Sequence, residues 1–397
     1  MKPELLAPAG DLERAKTAIR YGADAVYLGG KRFSLRSRAS NFELEDIREA
    51  VLFAQTYGAK IYVTLNIIPH DEDLPGLEDY LRQLEAIGVA ALIVASVHIA
   101  LLAKRIVPLM EVHLSTQQSV TNSSALLFYR KLGVDRVVLA REASLEQIKK
   151  ISSKSDCDLE VFIHGGMCVN YSGRCTLSNE MTLRDANRGG CAQSCRWKYR
   201  LYRDGIEISD PNRLYSMSSK DLIAAVELPT LMKTGIRSLK IEGRMKSAYY
   251  IAVVVDAYRK LIDAIDAGED ETTAVNACLD LLKRADNRGT DNGFFQGIPH
   301  ADHHLYGNDG EGINQEFVAS VKDTLPSGKV RIILRNNLRR GIELEVVSPH
   351  HPIRSFVLDT LERKGVVIDI ANIPMEVLEI TVPFAVEPGD FLRKKGS

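Results

Sequence analysis

ELLAPAGDLERAKTAIRYGADAVYLGG, residues 4–30, holds the unit from which the rest of the fold follows. A short apolar run, Glu4–Pro8, leads into the amphipathic stretch LERAKTAIRYG, with Gly22 where a helix C-cap glycine belongs, and then into a second apolar run, Asp24–Gly29. Strand, helix and strand in that order form the grammar of a parallel sheet wrapped by helices. The same grammar recurs in LEDIREAVLFAQTYG and LEDYLRQLEAIG, which end at Gly58 and Gly88. The strands read as Glu4–Pro8, Asp24–Gly29, Lys60–Asn66, Ala91–Ala95, Glu111–Gln117, Arg136–Ala140, Leu159–His164 and Arg237–Glu242. Eight of them predict a closed, TIM-like (β/α)8 barrel. A doubly wound open sheet is the alternative, but it would have fewer strands, and no G-x-G-x-x-G turn follows the first one.

The connection between the last two strands, about 165–235, is far longer than an ordinary loop and helix, and it carries four of the six cysteines. Loops after barrel strands share the catalytic face, so this insertion should lie there with the strand ends. After the eighth strand, SAYYIAVVVDAYRKLIDAIDAG and TTAVNACLDLLKRA read as helices, and a Gly- and Asn-rich passage marks a boundary near 286–314. Short alternating strands follow, which predict a small all-β domain, a barrel in form. The expected organisation is a barrel over 1–260, a helical and turn-rich connector over 261–310 and a β domain over 311–397.

The 51 basic and 52 acidic residues nearly cancel, so attraction to nucleic acid has to come from local patches. Glu4, Asp11 and Glu13 interrupt the start where an export signal needs an apolar core. The longest apolar run, Val89 to Ala103, is shorter than a membrane span and is broken by Ser96 and His98. The expectation is a cytoplasmic protein without a membrane segment, in which cysteines serve metals or catalysis rather than disulfides.

Cys168, Cys175, Cys191 and Cys195 are spaced C-x6-C-x15-C-x3-C. Four thiolates brought together suit an iron–sulfur cluster, each iron taking one sulfur. Structural zinc is the first alternative, although its ligands usually come as two close pairs and only the second pair here fits; redox or unrelated thiols are the other. Arg174, Arg188 and Arg196 would favour thiolate over thiol. Cys157 and Cys278 read as small buried hydrophobes.

Asn66, His113, Gln117, Arg141, Glu142, His164, Lys240, Glu242 and Arg244 stand at strand ends, where they are site candidates and equally structural hydrogen-bonding groups. His164 is the strongest, because it ends the strand leading into the cysteines. Glu160, which begins that strand, belongs at the opposite, structural end. RWKYR at 196–200 interleaves cations and aromatics, the mixture that grips phosphates and stacks bases. Arg196 and Lys198 there, Arg36 and Arg38 within KRFSLRSR, and RNNLRR at 335–340 make three basic patches; a solvated strand edge would look similar.

EVFIHGGMCVNYSGRCTLS, residues 160–178, resembles the signature of the collagenase-like peptidases of family U32. LLAPAGDLERAKTAIRYGADAVYLG, NRGGCAQSCRWKY and LKIEGRMKSAYYIAVVVDAYR are similar to that family too. The resemblance implies oxygen-independent hydroxylases with a four-iron four-sulfur cluster, acting on a tRNA wobble uridine, a ribosomal RNA cytidine or a ubiquinone precursor, with prephenate as hydroxyl source. CRWKY and the single terminal β domain are most similar to the tRNA branch, which makes 5-hydroxyuridine. Some relatives take a ligand after S-K-D-L, where this chain has Ile223, so the resemblance assigns the fourth ligand to Cys195. By position, arginines and Lys240 would hold prephenate, His164 or Glu242 would handle protons with Arg141 beside them, and Arg36, Arg38, Asn66, His113, Arg196, Lys198 and Arg244 would contact substrate. A collagenase-type protease and an RNA-binding protein with a structural metal are the competing readings.

Overall fold

The computed structural model describes residues 2–35, 41–154, 156–212, 214–285, 288–305 and 316–396. They form two units, 1–282 with 287–312, and 283–286 with 313–397.

In the first unit, β1 (Glu4–Pro8), β2 (Ala25–Gly29), β3 (Lys60–Leu65), β4 (Ala91–Val94), β5 (Glu111–Leu114), β6 (Arg136–Val138) and β7 (Asp158–Gly165) are parallel neighbours in chain order. β8 (Ser238–Ile241) pairs with both β7 and β1, which closes the eight-stranded barrel. Polar residues at the strand exits start the helices. Asp11, Ser96 and Ser144 each accept the backbone N–H three residues on, and Gln147 returns the bond to Ser144. Leu6, Ala25, Tyr27, Tyr62, Ala91 and Ile93 pack together in one buried cluster. No helix among the described residues is long and apolar enough to cross a membrane.

The N-terminal half of the barrel is filled by charge. Arg136 donates to Glu4 at 2.7 Å and lies 3.3 Å from Glu160, and Lys240 donates to Glu160 at 2.7 Å. Tyr62 and Ser238 complete the Glu4 carboxylate at 2.7 and 3.0 Å. Glu4, Arg136 and Ser238 are the first residues of their strands, so this network lies at the end opposite the loops that follow the strands. Buried charges are tolerated when paired and hydrogen-bonded, as these are. Lys240 and His113, expected on the catalytic face, therefore sit elsewhere: Lys240 against Glu160, and His113, fully buried, 2.9 Å from Glu111.

β6 is short and β7 long, so the free edge at the end of β7 accepts the antiparallel strand Asp221–Ile223 of the insertion. Thr290–Asp291 pairs with that strand in turn. The stretch expected as a connector, 261–310, contributes its described residues up to Leu282 and from 288 onward to the barrel unit, because the helix Glu271–Leu282 packs on the long helix Ala248–Asp266. Cys157 and Cys278 are buried, which pushes their thiols up to about 11 and about 12.

The second unit is all-β. Eight antiparallel strands, with Arg354–Val357 and Val366–Val367 as edges, enclose a core that includes Val318, Ile332, Leu344, Phe356, Leu378 and Leu392.

Candidate functional site

The strand exits place the candidate residues differently. Arg141 and Glu242 come together, 3.3 Å apart, and the Arg141 guanidinium lies over the Phe162 ring at 3.8 Å from its centroid. Both keep some exposure, 12% and 17% of their side chains, so a ligand can reach them. Arg244, only 4% exposed, donates to Ser34 Oγ at 3.0 Å and to Asn41 Oδ1 at 2.8 Å and fastens the loop after β2. Asn66 and Gln117 bind each other: Asn66 Nδ2 donates to Gln117 Oε1 at 2.9 Å, and Gln117 Nε2 to the Asn66 carbonyl at 3.0 Å. These two and Arg244 hold the rim in shape.

His164 leaves the barrel interior altogether. Ser238 and Lys240 pair with the inward residues Glu160 and Phe162, but a bulge then brings His164 opposite Ile241. Paired residues in a parallel ladder face the same side, so the bulge turns His164 outward with Ile241. There it is 1% exposed, packed on the rings of Tyr250 and Tyr258, with Nδ1 3.2 Å from the Tyr258 hydroxyl.

The cysteine loop is tied down across the ends of three strands. Beyond β6, Glu142 accepts from the Ser172 amide and from Ser172 Oγ, both at 2.8 Å. Beyond β5, Gly173 at φ +73° lies so close to the Gln117 carbonyl that any side chain would overlap it. Beyond β3, Arg188 bonds Asp73 at 2.8 Å and Glu72 at 3.1 Å, while Asn187 donates to the Cys175 carbonyl at 3.3 Å. The insertion thus covers the C-terminal mouth of the barrel, the face on which such folds build active sites. Arg188 is committed to those acids, and Arg196 is the guanidinium that acts on the Cys195 thiol.

None of the four cysteines is in a disulfide; Cys168 and Cys191 are exposed, Cys175 and Cys195 half-buried. Burial, and after it the charge of Cys168, push the Cys195 thiol up, with smaller contributions from Cys191 and Cys175, while Arg196 opposes them. The other three cysteines are therefore close enough to act on the Cys195 sulfur. Among the described residues no three His, Cys, Asp or Glu side chains are gathered tightly enough for a single metal ion. Asn170 Nδ2 lies 3.0 Å from Cys175 Sγ and is placed to donate to it.

Asp221 and Arg288 are the residues that sequence reasoning missed. Asp221 is 1% exposed and paired with Arg288, which is 7% exposed and 67 positions away. Arg288 stands in a turn-rich stretch that reads as a boundary, and no local pattern links it to the insertion.

Of the basic patches, Arg36 and Arg38 lie outside the described residues. Lys31 pairs with Glu43, and Arg32 stacks on Phe33 and donates to the Pro75 carbonyl. Lys198 is exposed, and beside it Trp197 keeps 44% of its surface in solvent, as Tyr171 of the cysteine loop keeps 49%. In the second unit Arg340 is bound to Asp369 at 3.0 Å and Arg339 is exposed.

Residues 10–305 match peptidase family U32, and residues 313–393 match the peptidase family U32 C-terminal domain. The tRNA hydroxylation protein P1 of Bacillus subtilis (strain 168) is 44% identical over 403 residues, covering 99% of this chain and 95% of that one. The tRNA hydroxylation protein P of Escherichia coli (strain K12) is 34% identical over 420 residues, 93% and 91% of the two chains. The 23S rRNA 5-hydroxycytidine C2501 synthase of the same organism is 45% identical over 263 residues, 66% of this chain and 39% of that protein.

Proposed function

The chain belongs to peptidase family U32, and from that premise we propose that it is an RNA-modifying hydroxylase working at an iron–sulfur cluster over the barrel mouth. The observation that carries the reading is the cysteine loop itself, which carries all four cysteines and is fastened over the strand ends by Glu142, Gln117 and Asp73. Two relatives that align along nearly the whole chain are named for tRNA hydroxylation, and a third for making hydroxycytidine in ribosomal RNA. We take the substrate to be the tRNA wobble uridine, converted to 5-hydroxyuridine in the cytoplasm without oxygen, with prephenate as hydroxyl source.

The donor set fits the cluster. Zinc, at about 2.3 Å from each sulfur, would need sulfurs only about 3.8 Å apart. A four-iron cluster is wider and takes one thiolate per iron, which suits four cysteines of which three act on the fourth. Cys168, Cys175, Cys191 and Cys195 would hold it, and when bound it supplies electron-transfer chemistry that no side chain here offers. The residues around it do the rest. Glu242 is the carboxylate at the mouth able to accept or return a proton, and Arg141 orients it while presenting a guanidinium to an anionic substrate. Lys240 and His164 are taken by other partners, so those roles pass from them. A uridine turned out of the anticodon stack can lie on Trp197 or Tyr171, with Lys198 and Arg174 near its phosphates.

Anaerobic purification followed by iron, sulfide and zinc analysis tests the metal. About four irons per chain, lost in Cys191→Ala, is the expected result; zinc, or iron retained in the variant, rejects the cluster.

A further inference from the structure

Gly166 stands two residues before Cys168, and its surroundings are charged. A side-chain carbon built on it would lie 3.2 Å from a terminal nitrogen of Arg196, 3.7 Å from one of Arg288 and 3.9 Å from Asp221 Oδ1. Two guanidiniums thus converge on one small space that holds a single carboxylate. Asp221 is already the ion-pair partner of Arg288, which also donates to Ser218 Oγ at 3.2 Å. Among the described residues the Arg196 guanidinium donates to the neutral Gln193 Oε1, at 3.2 Å. A buried and a half-buried guanidinium thus share one carboxylate, and Arg196 forms no ion pair with a carboxylate among the described residues, a partnership that a second carboxylate would complete.

The backbone gives no reason for glycine at 166. Gly165 has φ +101°, in the left-handed region, whereas Gly166 is not among the positive-φ residues. A side chain at 166 would instead crowd the Arg196 guanidinium.

We propose that Arg196 and Arg288 form a carboxylate-binding site beside the cysteine loop, with Gly166 kept bare to admit the ligand. A second carboxylate would pair with Arg196, and its two oxygens match the planar fork of a guanidinium. Because Arg288 and Asp221 are almost wholly buried, the site suits the end of a small acid better than a phosphate within a polymer. As the anchor of a co-substrate, the site rests on the hydroxyl-source reading above; as an anion site it does not.

The test is calorimetric titration of prephenate, and separately of malonate, into the natural protein, Arg288→Gln and Gly166→Ala, with iron content and tRNA affinity measured on the same preparations. The natural protein should bind both acids, and each variant should lose about tenfold or more in affinity while iron and tRNA binding stay unchanged. Gly166→Ala keeps both arginines and needs no unusual backbone angle, so it decides the matter if Arg288→Gln does not fold. Undiminished acid binding in the folded variants overturns the site, as does no binding of either acid by the natural protein, or a fall in tRNA affinity with acid binding intact. Arg288-dependent binding of malonate without prephenate keeps the site and removes prephenate as hydroxyl source.

Discussion

Replacing Glu142 by alanine should unfasten the cysteine loop without unfolding the barrel. The Glu142 carboxylate accepts two bonds from Ser172, one from its amide and one from its hydroxyl, and Ser172 is 6% exposed. A hydrogen bond to a charged group contributes about 1.5–3 kcal/mol, and a half-buried carboxylate puts each bond at the low end, so losing both costs about 3 kcal/mol of loop docking. That is roughly a hundredfold in the opening equilibrium. Hydrogen exchange reads it at Arg174, whose amide bonds the Tyr171 carbonyl within the loop and does not touch Glu142. Its exchange should quicken by about two orders of magnitude in Glu142→Ala, and by about half that in free energy in Glu142→Gln, which keeps one acceptor. Amides of β4 and β5 should not change. Unchanged exchange at Arg174, or equal quickening across the barrel strands, would refute the claim that Glu142 docks this loop.

Other expectations concern the barrel's charges and the RNA face. Lys240→Met leaves Glu160 with Arg136 alone and should lower stability by about 3–5 kcal/mol, read by denaturant unfolding, because one buried ion loses its partner. Burial opposes ionisation of Glu160, yet Lys240 and Arg136 hold its carboxyl at about 2 against an ordinary value of 4.5. A depressed folded-state value means stability present above about 4.5 and lost as pH falls towards 2; a melting temperature flat over that window would contradict it, and Glu160→Gln should lessen the slope. Trp197→Ala should weaken tRNA binding by about 1–3 kcal/mol if a base stacks there, and binding by the natural protein should fall as salt rises. A filter-binding series at several salt concentrations measures both.

What could be read without coordinates was what is local or periodic. The barrel follows from alternation along the chain, and its strands lie where expected apart from their ends. β5 stops at Leu114 rather than Gln117 because Ser115 caps a turn over Thr116–Gln118, and β6 stops at Val138. Cysteine spacing exposed the candidate ligands for the same reason. Partnerships across space were not legible. His164 reads as an inward strand end, and only the bulge opposite Lys240 and Ile241 turns it towards Tyr250 and Tyr258. Lys240 looks like a site lysine until Glu160, 80 positions away, is seen beneath it. Arg288 carries no motif, because its meaning comes from Asp221 and Arg196.

The most direct test of RNA hydroxylation at the cysteine site is nucleoside mass spectrometry of tRNA from a strain deleted for this gene and complemented with the natural chain or with Cys191→Ala. Hydroxylated uridine should disappear on deletion, return with the natural chain and stay absent with Cys191→Ala. Hydroxylated uridine that persists in the deletion strain, or that Cys191→Ala restores in full, would contradict the account.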